Sequence, residues 1–425
     1  MPKISSDILR LALPAIISNV TVPLLGLVDM TIVGHMGNVA YIGAIAIGSM
    51  IFNSLYWMFG FLRMGTSGIT AQEVGKQGDT ERIFRQTALT ALLLGAAILL
   101  LCWPIHELAL WLMSPEESVA PLFSTYYYIC IAGAPAVLLQ YSLTGWFIGM
   151  QDTKRPMIIA ISQNVFNIVL SLALVYGLHL KVEGVAMGTM LSQWFAVALG
   201  LLLKGKAKST AISGKLFQKG ELRRLFSVNR DIFIRTLCLL SVMFFFTSAG
   251  SRQGTNLLAV NTLLMQTWLI FSYFMDGFAY AGEALCGKFY GANNRDMLLR
   301  TVKSLFVWGI CLAALFTVLY AFGTTSFLSL LTDEATVIAL AYDYRLWMIV
   351  LPVIGFSAFL WDGIFVGMTN SRGMLISCAT AALVFALVYY FSVDTLRNNG
   401  LWLAFVVFLF TRGAMQLAIF LKSCR

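Results

Sequence analysis

Asp29 is a carboxylate set inside a long apolar run, six residues after Pro23. A charged side chain at mid-bilayer costs about 2.5–3.5 kcal/mol on insertion scales, so such a residue faces a bundle interior and marks function. Pro23 removes one backbone donor and frees the carbonyl of Asn19, which predicts a bend beside the ionisable group. Burial favours the neutral form of a carboxyl, and a nearby cation or donor favours the charged form. Asp29 is therefore expected to exchange protons. The competing reading is an aspartate that caps the turn at the outer end of its helix. Further along the chain, Asp276, Glu283 and Asp362 are acids in apolar surroundings. Asp276 and Glu283 are seven residues apart, two turns along one helical stripe. Arg63 and Arg235 have no partner nearby in sequence. Buried charges are generally paired, so each arginine is expected to find an acid in the fold. The functional alternative is a charge network that rearranges during a transport cycle.

Signatures of covalent chemistry are missing. The 3 histidines, His35, His106 and His179, are expected at outer loops and stand far apart. No P-loop, nucleophile elbow or HExxH is present. The 7 cysteines fall singly, mostly within apolar runs, with no metal or disulfide spacing. The chain is thus expected to be no enzyme, with no catalytic residue, no cofactor and no metal. Without a nucleotide-binding motif, any active transport must draw on an ion gradient.

The elements that must position these groups follow from composition. The 425 residues are 59% hydrophobic and 12% charged, against roughly 25% charged in soluble domains. Mean hydropathy is +0.81. The apolar material comes in blocks, as a spanning helix of about 20 residues requires. A barrel would instead show short alternating segments. The blocks predict helices over 9–33, 41–74, 87–111, 120–149, 156–178, 183–204, 231–253, 256–285, 300–323, 336–367, 374–393 and 399–421. The first block lacks a small-residue cleavage site and reads as a span rather than a signal peptide.

Loop charge supports that count. One side collects Lys3, Arg10, Lys76, Arg82, Arg85, Lys154, Arg155, the basic stretch from Lys204 to Arg230, Lys288, Arg295, Arg300, Lys303, Arg372, Lys422 and Arg425. The other holds Lys181, Arg252 and Arg397, with Glu107, Glu116, Glu117, Asp333 and Glu334. Basic residues concentrate on the cytoplasmic side. Both termini are then cytoplasmic, and the number of spans is even. The net charge of +9 needs no nucleic-acid partner, since lipid head groups attract such loops.

The halves resemble each other. Leu112–Val119 aligns with Leu330–Val337 at an offset of 218, which also pairs Gly145, Phe147, Gly149 and Met150 with Gly363, Phe365, Gly367 and Met368. Gly75-Lys76 matches Gly287-Lys288 at an offset of 212, and Gly184 matches Gly400. Six spans per repeat keep both halves in one orientation, a parallel repeat with the substrate site expected in a cleft between lobes. The predicted fold is an all-α polytopic membrane protein of twelve transmembrane helices in two six-helix lobes. The lobes are 1–204 and 231–425, joined by a basic cytoplasmic linker over 205–230.

With these features in place the chain resembles the multidrug and toxic compound extrusion (MATE) family, and within it the DinF branch. The motifs are Pro14 with Gly26-Leu27-Val28-Asp29 and Gly34-His35-Met36-Gly37, and Phe59-Gly60-Phe61-Leu62-Arg63-Met64-Gly65-Thr66. Gly149-Met150-Gln151-Asp152-Thr153-Lys154-Arg155-Pro156, Asp276-Gly277-Phe278-Ala279 with Glu283-Ala284, and Trp361-Asp362-Gly363-Ile364-Phe365-Val366-Gly367 complete the set. The resemblance implies an inner-membrane antiporter, a monomer among lipids, exporting drug-like, amphipathic and often cationic small molecules against protons or sodium. It also implies a coupling cluster of Asp29 with Asn167, Ser171 and Thr189. Ser171 stands where many members carry aspartate, which weakens the sodium option because hard cations favour several charged oxygens. Asn164 and Gln163, one turn earlier, either line the same cavity or hydrogen-bond neighbouring helices. A lipid-linked oligosaccharide flippase and a membrane-embedded transferase are the alternatives. A cysteine introduced at position 116 is expected to react with an impermeant thiol reagent only from outside, and one at position 215 only from the cytoplasm. The reverse pattern would overturn the topology.

Overall fold

Lipid offers no hydrogen bonds, so each apolar block closes its own backbone bonds as a helix. The structure, a computed structural model, describes residues 2–34, 38–205 and 219–423, with residues 2, 22–30 and 219–225 described by backbone alone. His35 and most of the expected basic linker lie outside the described residues. The first half of the chain contains α1 (Pro2–Gly34), α2 (Val39–Met58), α3 (Phe61–Lys76), α4 (Thr80–Leu100), α5 (Cys102–Met113), α6 (Ala120–Cys130), α7 (Ala134–Gly149), α8 (Lys154–Leu172) and α9 (Val182–Lys204). The second contains α10 (Lys219–Ser251), α11 (Thr255–Gly291), α12 (Arg295–Leu331), α13 (Ala335–Asp343), α14 (Arg345–Gly367), α15 (Ser371–Leu396) and α16 (Asn398–Ser423). No strand occurs among the described residues. Eleven described segments are long and apolar enough to cross a membrane. The apolar run of α1 from Leu11 to Val28 makes the twelfth, as expected.

Four spans read as continuous are each broken in two. Phe59 and Gly60 separate α2 from α3, Leu101 separates α4 from α5, a 3-10 turn at Ile131–Gly133 separates α6 from α7, and Tyr344 separates α13 from α14. Pro104 explains the second break, because it lacks the N–H that would carry the α4 ladder onward. Side-chain caps fix other starts: Asp79 Oδ1 accepts from Arg82 N at 3.0 Å, Asn294 Oδ1 from Met297 N at 3.0 Å and Asn370 Oδ1 from Gly373 N at 3.1 Å. His106 departs from its expected place in a loop. It is buried on α5, its ring stacks on Phe123 at 5.8 Å, and its Nε2 lies 2.8 Å from Ser124 Oγ. His179 does stay in an exposed connection, with φ 55°.

The chain divides into two compact units, Ile17–Arg224 and Leu225–Arg425 with Met1–Ile16. The start of α1 thus belongs with the second unit, where Gly277 makes room for it. A Cβ on Gly277 would lie 2.9 Å from the carbonyl oxygen of Ala12 and 2.4 Å from Ile16 Cγ1. Ser5 Oγ and Ser304 Oγ add a hydrogen bond of 3.1 Å.

Each unit carries the same close helix crossing. In the first, a Cβ on Gly145 would lie 2.3 Å from Arg63 O and one on Gly149 2.7 Å from Ser67 O. In the second, a Cβ on Gly363 would lie 2.2 Å from Ala279 O and one on Gly367 2.6 Å from Glu283 O. Glycines four apart let backbones approach, the small-residue packing that membranes favour. Left-handed residues repeat as well. Gln151 and Thr369 (φ 62° and 52°) and His179 and Arg397 (55° and 49°) are paired at the 218-residue offset. Gln77 and Asn293 (58° and 53°) pair at an offset of 216. That offset also relates Arg63 to Ala279 and Ser67 to Glu283, so Gly75 corresponds to Gly291. The expected offset of 212 for this stretch is corrected: a local Gly-Lys identity misaligned it by one turn.

Filling the second crossing is expected to force α11 and α14 apart. Gly363→Val should destabilise the protein by about 1–3 kcal/mol, as overpacking does, and lower the melting temperature of the detergent-solubilised protein. An unchanged melting temperature would mean that the contact is loose.

Candidate functional site

In the first unit, polar side chains gather where α8 meets α9. Asn167 and Ser171 are one turn apart on α8 and both are fully buried. Asn167 Nδ2 donates to Thr189 Oγ1 at 3.2 Å and to Ser192 Oγ at 3.4 Å. Ser171 lies against Gly188, where a Cβ would come within 2.2 Å of its Oγ. Asn167 Oδ1 and Ser171 Oγ are buried and have no hydrogen-bond partner among the described residues. Immediately after Ser171 and Leu172 the helix widens into a π turn at Ala173–Gly177, a distortion frequent at functional sites. Asn164 Nδ2 donates to Thr21 O at 3.1 Å, which ties α8 to α1. Gln163 Oε1 accepts from Gln140 Nε2 at 2.7 Å. Both residues therefore act as links between helices. Asp29 lies in α1, but its side chain is outside the described residues.

In the second unit, Asp362 is the hub of an ionic cluster. Its Oδ2 accepts from both Arg235 Nη2 on α10 and Arg412 Nη2 on α16. Its Oδ1 accepts from Gln416 Nε2 at 2.7 Å. Arg412 and Gln416 are one turn apart and present a shared face. Cys378 on α15 packs here too, its Sγ 3.7 Å from Arg235 O. Asp231, one turn before Arg235, holds Arg230 at 2.9 Å and Ser371 Oγ at 3.1 Å.

The structure thus joins two expected residues, Asp362 and Arg235, and adds three that the sequence reading missed. Arg412 and Gln416 sit in an apolar block whose flanks conceal them, and Asp231 sits at a span edge. A charged and an amide residue four apart inside such a block is the signal that could have found the first two. Glu283 is buried on α11 and Asp276 partly so. Arg63 lies on α3, in the first unit. All three engage in interactions of their own. Among the described residues no three His, Cys, Asp or Glu side chains converge on a metal position.

The family model described as MatE matches this chain twice, over residues 14–173 and 232–391. The two matches start 218 residues apart, the offset of the repeat. DNA damage-inducible protein F of Escherichia coli (strain K12) is 39% identical over 422 residues, covering 98% of this chain and 92% of that protein. A probable multidrug resistance protein NorM of Photorhabdus laumondii subsp. laumondii is 23% identical over 79% of this chain and 76% of its own length. Among solved structures, the Vibrio cholerae MATE transporter VcmN in its bent form superposes with a TM-score of 0.89 at 16% identity, covering 100% of this chain and 98% of that one.

Removing Asp362 leaves two buried guanidiniums without a counter-charge, and breaking a buried pair in this way costs about 3–5 kcal/mol. Asp362→Asn is expected to lower thermal stability in detergent far more than Arg412→Gln, which leaves the carboxylate with Arg235 and Gln416. Equal losses in the two variants would show that the cluster is not organised around Asp362.

Proposed function

The chain belongs to the MatE family, and from that membership we propose that it is a proton-coupled antiporter exporting amphipathic, often cationic compounds across the cytoplasmic membrane. As a family member it is a multi-pass transporter of the multidrug-efflux class. The relatives' names, DNA damage-inducible protein F and probable multidrug resistance protein NorM, support drugs as cargo. The charge sorting of the loops supports cytoplasmic termini and places the amino-terminal end of α1 inside.

One observation carries the coupling site: the hydrogen bond from Asn164 to Thr21 O sets the register of α8 against α1. As the first and fifth of alternating spans, these helices run in the same sense. Both rise about 1.5 Å per residue. Ser171 is seven residues beyond Asn164, and Val28, next to Asp29, is seven beyond Thr21. That register brings the α1 backbone at Val28, beside Asp29, level with Ser171, one turn beyond Asn167.

The choice of ion follows from the oxygens on offer. Asn167, Ser171 and Thr189 are neutral, and Asp29 supplies the one formal charge of the set. Sodium, as a hard cation, is held better by several charged oxygens. A single carboxyl in a low-dielectric cavity takes up and releases a proton without needing them. Asp362 is already engaged by two arginines.

Asp29→Asn keeps the side-chain shape and removes the titration. Cells producing this variant are expected to fall to the drug sensitivity of cells without the transporter, while protein accumulates at the wild-type level. Full resistance in the variant would refute the assignment.

A further inference from the structure

The Asp362 cluster holds one more positive charge than negative. Two guanidiniums, Arg235 and Arg412, converge on one carboxylate, and its other oxygen is taken by the neutral Gln416. The nearest acid on α10, Asp231, is already held by Arg230 and Ser371. Cys378 packs on the same cluster, its Sγ 3.7 Å from Arg235 O.

A buried cation without a counter-charge is costly, so the imbalance calls for an anion. Donors for it remain. Nε of Arg235 and Nε of Arg412 are both buried with no hydrogen-bond partner among the described residues. A guanidinium presents its donors as a planar fork that matches carboxylate and phosphate oxygens. The side chains of Arg235, Asp362 and Arg412 keep 9%, 11% and 6% of their surface exposed.

The first unit lacks this cluster. At the repeat offsets of 218 and 216, the positions of Arg235, Asp362, Arg412 and Gln416 correspond to Ile17, Thr144, Ala196 and Gly200. The first unit is built on the same plan without a charge at any of them. The cluster pins helices of the second unit, but its excess positive charge is not needed for that and calls for a second anion.

We infer that Arg235 and Arg412 form a binding site for the anionic head group of an amphipathic ligand, a carboxylate or phosphate seated beside Asp362 as the second anion. The site lies near the end of α14 that the loop charges assign to the cytoplasm, where a compound to be exported first meets the protein. Such a site recognises the anionic part of a compound, whatever the charge on the rest of it. The proposal concerns equilibrium binding, so it stands or falls separately from the coupling ion and from Asp29.

The test uses the full-length protein in phosphatidylcholine nanodiscs. Naphthalene-2-carboxylate and its neutral analogue 2-naphthamide are titrated by calorimetry. The carboxylate is expected to bind and the amide to bind at least tenfold more weakly. Arg412→Gln, which leaves Asp362 paired, should weaken the carboxylate at least tenfold, and Arg412→Lys, which keeps the charge, should weaken it less. Adding phosphatidylglycerol to the discs identifies the source. A drop in carboxylate affinity makes lipid phosphate a natural occupant, and unchanged affinity reserves the site for free organic anions. No preference for carboxylate over amide, or an Arg412→Gln variant that melts as a folded protein and binds like wild type, would overturn the proposal. If Arg412→Gln does not accumulate, the wild-type comparison of carboxylate with amide and the Arg412→Lys variant decide.

Discussion

A carboxylate inside a bilayer must have a counter-charge or a proton, and the two halves of this chain meet that demand in different ways. In the second unit Asp362 has counter-charges to excess. Arg235, Asp362 and Arg412 are widely separated in sequence, yet two guanidiniums share one carboxylate oxygen. Because breaking such a buried pair is expensive, the cluster pins α10, α14 and α16 at one point. In the first unit the described polar groups around Asn167 are neutral, and Asn167 Oδ1 and Ser171 Oγ have no hydrogen-bond partner among the described residues. On the proposed reading Asp29 is the carboxyl of this unit that changes its charge. One unit then holds a paired carboxylate and the other a titratable one.

Both units are nevertheless built from one plan. The glycine pairs Gly145–Gly149 and Gly363–Gly367 each press against the carbonyls of a facing helix, at separations that no larger residue allows. Left-handed residues recur where helices end. These features fix the crossing of α3 with α7 and of α11 with α14. They leave the remaining faces free to diverge, and there the chemistry differs, with Asn167 and Ser171 in one half matched by Phe385 and Tyr389 in the other. Backbone contacts carry the repeat, and side chains carry the division of roles.

Much of this was legible in the sequence because membrane solvation acts locally. An apolar block must be a helix, so twelve spans and their approximate limits followed from hydropathy. The parallel repeat followed from glycines at a constant spacing. Breaks within spans were less visible, since Phe59-Gly60 and Tyr344 do not interrupt hydropathy and only backbone geometry reveals them. His106 was misplaced for a related reason: its burial depends on Phe123 and Ser124, on another helix. The pairing of Asp362 with Arg235 matched the general rule that buried charges find partners. The excess arginine did not, because averaging over an apolar block hides Arg412. The one-turn error at Gly75 came from trusting a dipeptide identity over helix ends.

The central claim is that an inward proton flow through a single titratable carboxyl drives export. It is tested most directly by ethidium movement in everted vesicles carrying the protein, with proton and sodium gradients imposed separately. A proton gradient alone should drive ethidium transport that a protonophore abolishes. A sodium gradient with the proton gradient collapsed should move little. Strong sodium-driven transport that persists in the presence of the protonophore would contradict the account.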